Sequence, residues 1–209
     1  MDGREALLDV LAQAKAVGFL GPGDPADHLA HALGFADAAL SFLPAPPLRF
    51  ADLGTGGGVP GLVLASMWDD TEAVFIESSA RRCQALEEWA GELGLAERVQ
   101  VVSGRAEERA HEVGLRETFD LVTARSFGRP AVTAEIACGF LKVGALLVVS
   151  EPPEPTDARW PAAELEQLGF DPIVQLVVRG AHYAGTRKNR PADAGVPRAV
   201  GRPAKRPRW

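Results

Sequence analysis

From Leu48 onward, short apolar runs alternate with stretches of helical spacing, and this pattern restricts the possible folds more than any other feature of the chain. The apolar runs are Leu48–Leu53, Ala73–Ile76, Val99–Val102, Phe119–Ala124, Ala145–Val149 and Ile173–Val178. Between them, Gly61–Trp68, Ala80–Leu93, Ala106–Val113, Ala131–Leu141 and Ala158–Leu168 read as helices. Strand-helix alternation implies right-handed crossovers and a mostly parallel, doubly wound α/β sheet. Its strands run apolar throughout because helices cover both faces. Phe170–Val178 and His182–Arg187, separated by Arg179-Gly180-Ala181, read as a hairpin, so the sheet is expected to end in an antiparallel pair.

Two helices precede the sheet. Leu7, Leu8, Val10, Leu11, Ala14 and Val17 recur at roughly helical spacing until Gly18 and Gly21-Pro22-Gly23 end the element. A second helix is expected over Ala26–Leu43, and Pro44-Ala45-Pro46-Pro47 then breaks the chain. The expected organisation is a helical extension over residues 1–47, a cofactor-binding domain over 48–188 and a basic Pro/Arg-rich tail over 189–209. That tail is expected to be extended and only partly ordered.

The 209 residues suffice for one domain with a sizeable core, and 46% hydrophobic with 24% charged residues is an ordinary soluble composition. No window approaches a membrane span, and no secretory signal is expected at the N-terminus. Cys83 and Cys138 lie in expected helices at a spacing that matches no metal cluster, so both read as buried small hydrophobes. A cytoplasmic, monomeric protein without a metal is expected. The net charge of −6 is unevenly spread: Arg187–Trp209 holds eight basic residues and one acid, which makes it +7 and leaves −13 for the rest. A basic arm on an acidic body points to a polyanionic partner, with Arg187, Lys188, Arg198, Lys205 and Arg206 as candidate contacts.

Asp52-Leu53-Gly54-Thr55-Gly56-Gly57-Gly58-Val59-Pro60-Gly61 follows the first strand and opens a helix. Consecutive glycines allow positive φ and close approach of backbone to a ligand. Gly56, Gly58 and Gly61 also satisfy the G-x-G-x-x-G of a nicotinamide fold, with Glu77 near the position of its ribose acid. Two features favour S-adenosylmethionine instead. Asp52, at the mouth of the loop, would repel a pyrophosphate and attract an ammonium and a sulfonium. The terminal hairpin fits a class I methyltransferase sheet of Rossmann-like type. Glu77 ends the second strand and can take both ribose hydroxyls, while Ser78 and Ser79 follow, one of them capping the next helix. Gly104-Arg105-Ala106-Glu107 begins a helix at the third strand end, with Ala106 and Glu107 as adenine partners.

Together these segments resemble the RsmG (GidB) family, which methylates N7 of a guanine in the 530 loop of bacterial 16S ribosomal RNA. The likeness runs from about Asp27 to the C-terminus. It rests on the Asp52–Gly61 loop, Gly104-Arg105-Ala106-Glu107-Glu108, Thr123-Ala124-Arg125-Ser126-Phe127, Gly195-Val196-Pro197 and Ala204-Lys205-Arg206-Pro207. The resemblance implies S-adenosylmethionine as cofactor, 16S ribosomal RNA or a small-subunit precursor as partner, and contacts at Gly54, Val59, Glu77, Ser78, Ser79, Ala106, Glu107 and Arg125. His28 and His182 match the family's histidines before the sheet and on the last hairpin. Two features depart from the family pattern: Val149-Ser150-Glu151-Pro152 stands where a lysine usually ends the fifth strand, and an N-terminal Trp-Asn and Asn-Leu-Thr stretch is missing.

Guanine N7 carries an unprotonated lone pair, so methylating it needs alignment and dryness but no general base. Thr123-Ala124-Arg125-Ser126 offers no Pro-Pro-Tyr clamp for an exocyclic amine, and neither cysteine lies at a strand end to attack a pyrimidine. Arg125 is the residue expected to be catalytic, holding the cofactor carboxylate or donating to guanine O6. A related methyltransferase with another RNA or a small molecule as substrate, and a non-catalytic RNA-binding module, stay open as alternatives.

Overall fold

A computed structural model describes residues 3–209. Helices α1 (Gly3–Ala16) and α2 (Pro25–Leu40) come first. Asp24 starts α2: its carboxylate accepts from the Ala26 amide, and Asp27 reaches back to the Asp24 amide. Two otherwise orphaned donors are satisfied in this way, which fixes the turn between the helices.

The sheet region runs β1 (Arg49–Leu53), α3 (Gly61–Met67), β2 (Glu72–Glu77), α4 (Ala80–Glu92), β3 (Val99–Ser103), α5 (Ala106–Arg109), β4 (Phe119–Ala124), α6 (Pro130–Phe140) and β5 (Leu141–Glu151). It continues with α7 (Ala162–Leu168), β6 (Val174–Val178) and β7 (Ala181–Arg187), and α8 (Arg202–Lys205) lies near the end. The strand order is β3-β2-β1-β4-β5-β7-β6. β1 to β5 pair in parallel, and β7 joins antiparallel to both β5 and β6. The sheet is therefore doubly wound and mostly parallel with a terminal antiparallel hairpin, as the alternation and the Arg179-Gly180 turn imply. Strand addition reverses between β1 and β4, where a crevice opens beyond the carboxyl ends of the strands.

Both faces of the central strands are covered. Phe50, Phe75, Leu121, Leu146 and Val148 pack against α2, α3 and α4. Ala51, Val74, Val122 and Leu147 pack against α5, α6 and α7 on the other face. Leu7, Leu11 and Leu29 join Val59 and Val63 in a smaller cluster, which ties the first two helices to the start of α3. Tyr183 reaches from β7 into α2, where its hydroxyl donates to the His31 carbonyl at 2.7 Å and its ring meets Phe35. Gly34 is required there, because a Cβ would collide with the Tyr183 hydroxyl.

Four of the differences from the sequence reading bear on the site or the tail. The expected helix over Ala158–Leu168 begins only at Ala162, because Pro161 disfavours helical geometry before it and donates no hydrogen bond. β5 starts at Leu141 rather than Ala145: Leu141 already pairs with Phe119, and Gly144 donates to the Lys188 carbonyl. Helix α5 stops at Arg109, short of the expected Val113. The fourth difference is the tail, which is packed against the domain instead of extended. Val196 and Pro203 are buried, and Arg116 donates to the carbonyls of Val196 and Asp193 at 2.8 and 3.0 Å. The Trp209 indole donates to the Arg159 carbonyl at 2.9 Å, which holds the last residue in place.

Candidate functional site

The carboxyl ends of β1, β2 and β3 surround a cavity of about 500 Å³, within the range of small-molecule sites. Gly54, Glu77, Ser78, Ala106 and Glu107 line it, which brings five of the sequence-predicted cofactor residues to one place. Glu77 is 4% exposed, and both of its oxygens are aimed by backbone donors. The Gly56 amide reaches Oε2 at 3.1 Å and the Ser79 amide reaches Oε1 at 2.9 Å. A carboxylate held by two amides keeps lone pairs free for a diol. Ser79 also caps α4, its hydroxyl accepting from the Arg82 amide. Gly54 has φ +65°, and a Cβ there would come within 2.8 Å of the Phe127 ring, so the ring rests directly on the backbone of the turn. Gly58, at φ +90°, bends the chain toward α3 and packs against Leu62. Val59 turns its side chain into the α1–α2 cluster, leaving only backbone to the loop.

Asp52 does not stand at the mouth of the loop. It is 1% exposed beneath the turn, accepting from the Gly61 amide at 3.1 Å and the Thr123 hydroxyl at 2.8 Å. Burial pushes its carboxyl up to about 7, against the lowering effect of these hydrogen bonds. Its place makes it a clamp between β1, β4 and the first turn of α3, with no direct path to a ligand in the cavity. The expected attraction to an ammonium thus gives way to shape: a carboxylate next to the sheet finds its donors in the protein.

Arg125 is half-buried beyond the end of β4 and donates to His28 Nδ1 at 2.8 Å; it pairs with neither Glu77 nor Asp52. Neither Arg125 nor His28 lines the cavity. His182 lies on β7 opposite Glu151, also away from the cavity lining. His31, one turn after His28 on α2, escaped the sequence reading although the i, i+3 spacing puts both on one face. Its ring packs against Phe35 and Tyr183, and burial, with Arg125 and His28 adding, lowers its pKa to about 4.

The tail forms part of the cavity wall. Ala204, Lys205 and Pro207 line the cavity, and the Gly201 amide donates to Glu107 Oε1 at 3.1 Å. Glu107, expected to read adenine, therefore spends one oxygen on the tail and on Arg105 Nη2, 3.3 Å away. Glu135 of α6 is fully buried and takes both ends of the Arg198 guanidinium at 2.7 Å, with Arg208 at 3.3 Å. Burial raises its pKa, but the Arg198 hydrogen bonds outweigh this and hold the carboxyl below its ordinary range.

Three of the five cations expected to meet RNA are engaged internally. Lys188 is completely buried, and its ammonium gives all three protons to Glu117 and to the carbonyls of Cys138 and Leu141. Arg198 is held by Glu135, and Arg187 donates to the carbonyls of Gly144 and Phe42. Lys205 and Arg206 stay exposed. At the end of β5, the departure from the family's lysine is visible as a small cluster: Glu151 accepts from Arg159 Nε at 2.7 Å and from the Trp160 indole at 3.0 Å. Cys83 and Cys138 are buried free thiols within α4 and α6, each donating to a carbonyl. No helix among the described residues is long and apolar enough to cross a membrane.

Solved structures share the fold. An O-methyltransferase from Bacillus cereus in complex with SAH superimposes with a TM-score of 0.62 at 15% identity, over 88% of this chain and 91% of that one. The O-methyltransferase TomG from Streptomyces achromogenes, in complex with SAM, gives 0.58 at 20% identity over 89% and 90%. Sequence relatives say more. Ribosomal RNA small subunit methyltransferase G of Prochlorococcus marinus (strain MIT 9313) is 36% identical over 169 residues, 77% of this chain and 68% of that protein. Its namesake in Symbiobacterium thermophilum is 34% identical over 173 residues, 78% of this chain and 70% of that protein. The family model for GidB, rRNA small subunit methyltransferase G, matches residues 11–158, and with these relatives it establishes that the chain belongs to that family.

Proposed function

We propose that this chain is an S-adenosylmethionine-dependent methyltransferase of small-subunit ribosomal RNA, and that its target atom is N7 of a guanine, in the 530 loop of 16S RNA. The observation that carries the reading is the oriented Glu77 carboxylate at the floor of a cavity flanked by the Gly54 turn, in a chain of this family. The residues present fit a sulfonium nucleoside. Glu77 takes the ribose hydroxyls, Ser78 and Ala106 border the base, and Gly54 leaves room that a side chain would fill.

When bound, S-adenosylmethionine supplies an electrophilic methyl group on a positively charged sulfur. The protein's own part is to bind, orient and dry the site. Guanine N7 has a free lone pair and no proton to lose, so no residue has to act as a base. Phe127 covers the Gly54 backbone, and Ala204 and Pro207 of the tail supply apolar wall to the cavity, surfaces suited to limiting water around a bound methyl donor. Arg125 and His28 stiffen the loop after β4 against α2. Asp52 and Thr123 hold the glycine turn in shape from below.

Calorimetry with S-adenosylmethionine and mapping of N7-methylguanine in ribosomal RNA from a deletion strain test the reading together. Binding with loss of one methylated guanine in the strain supports it. An unchanged methylation map with intact cofactor binding would assign the enzyme another substrate.

A further inference from the structure

The mouth of the cavity collects positive charge in a chain whose net charge is −6. Arg82, Arg105, Arg129 and Lys205 border it, against only two carboxylates, Glu77 and Glu107. Each carboxylate already has a cation: Arg82 lies 3.9 Å from Glu77 and Arg105 lies 3.3 Å from Glu107. Arg129 and Lys205 remain, both exposed, and neither side chain has an ion pair or hydrogen bond among the described residues. They come from separate segments, Arg129 from the turn before α6 and Lys205 from α8, and reach the same cavity.

This surplus is the wrong sign for the cofactor. S-adenosylmethionine carries a sulfonium, an ammonium and a single carboxylate, so it is a net cation, and two unpaired cations at its own mouth repel it. Bringing like charges together has a cost unless an anion covers them, and at a cavity of this kind the anion must arrive over the mouth. Resting on the RNA-methyltransferase reading, we propose that Arg129 and Lys205 form a phosphate clamp, holding the RNA backbone beside the target guanine so that the base enters above the cofactor. The guanidinium fork of Arg129 matches two phosphate oxygens, and the Lys205 ammonium acts as a point charge. In the tail, Glu117 and Glu135 absorb Lys188, Arg198 and Arg208, whereas Lys205 stays exposed at the cavity rim. RNA contact is thus concentrated at the cavity rim, with the tail serving as its wall and not as a loose arm.

The test uses the full chain saturated with S-adenosylhomocysteine and a single-stranded RNA fragment containing the methylated guanine, titrated at several salt concentrations. Arg129→Gln and Lys205→Gln should each weaken RNA binding, and the double variant by about 10- to 100-fold at low salt. The slope of log affinity against log salt should shrink by about 0.7 per lost phosphate contact, about 1.4 for the double variant. Affinity for S-adenosylmethionine, measured by calorimetry, should stay within about twofold of wild type. Unchanged RNA affinity and slope in the double variant would overturn the clamp alone, as would a parallel loss of cofactor affinity, which would assign the two cations to the cofactor. Wild-type protein that binds no S-adenosylmethionine would overturn the underlying reading as well.

Discussion

The Arg125 guanidinium donates to Nδ1 of His28 at 2.8 Å and so binds the loop after β4 to α2. Arginine has only donors, so Nδ1 must accept, and the ring hydrogen sits on Nε2, which donates to the Gly21 carbonyl at 3.2 Å. Gly21 belongs to the turn whose neighbours Phe19 and Leu20 lie on the glycine loop: a Cβ on Gly57 would come within 2.7 Å of Leu20 and 2.9 Å of the Phe19 carbonyl. One chain of three groups therefore fixes the segment that covers the loop. If Arg125 works by positioning, Arg125→Ala and His28→Ala should each slow methyl transfer by about 10- to 100-fold, and the double variant should be no slower than the worse single one. Losses that multiply in this cycle would mean that the two residues act separately.

Glu77 carries the second prediction. Its two amide bonds shape the turn, and its remaining lone pairs are what a ribose needs. Glu77→Gln keeps one oxygen as an acceptor, but its NH₂ faces an amide donor in place of the second. Affinity for S-adenosylmethionine is expected to fall by about 10- to 100-fold, the equivalent of one charge-assisted hydrogen bond at about 1.5–3 kcal/mol. Isothermal titration reads this directly, and cofactor binding equal to wild type would remove Glu77 from the sugar.

How much of this was legible in the sequence depends on how local the cause is. Strand-helix alternation, the glycine turn and the Arg179-Gly180 hairpin are set by neighbouring residues, and each appears where the pattern puts it. Pairings over long separations were not legible. Glu135 is the instructive case: a lone acid within the apolar helix Pro130–Phe140 had to find a cation, yet its partner Arg198 is sixty-three residues away. The tail's arginines are not all free charge, because the buried Glu135 claims Arg198 and Arg208. Asp52 was misplaced for a related reason: its position in the sequence is at the loop, whereas its donors, Thr123 and Gly61, draw it underneath.

The tail then yields a prediction opposite to that of a detached basic arm. Arg198→Ala leaves the fully buried Glu135 with Arg208 at 3.3 Å as its remaining cation. Breaking a buried pair on one side costs about 3–5 kcal/mol, and the surviving Arg208 contact puts this case at the low end. Urea denaturation should report a loss of about 2–4 kcal/mol for Arg198→Ala. Deleting residues 189–209 should in addition reduce cofactor affinity, because Ala204 and Pro207 line the cavity and Gly201 holds Glu107. A truncated protein that melts and binds cofactor as the full chain does would contradict the packing described above.

The last prediction concerns pH, where Asp52 and His31 pull in opposite directions. Asp52 has its folded pKa raised from 3.8 to about 7, chiefly by burial. An unfolded chain gives up that proton above 3.8 while the folded one keeps it, so the Asp52 contribution to stability is full below 3.8 and lost as pH rises toward 7. His31 has its folded pKa lowered from 6.5 to about 4, again mainly by burial. The unfolded chain takes up a proton below 6.5 that the folded one refuses, so the His31 contribution is full above 6.5 and lost as pH falls toward 4. Between about pH 4 and 6.5 the two slopes oppose each other, and the wild-type stability curve should be flatter there than either group alone would make it. Asp52→Asn removes one of the two, and the stability of the variant should then rise with pH across this window more steeply than that of wild type. Parallel curves for the two proteins from chemical denaturation at pH 4, 5, 6 and 7 would show that Asp52 does not hold its proton beneath the glycine turn.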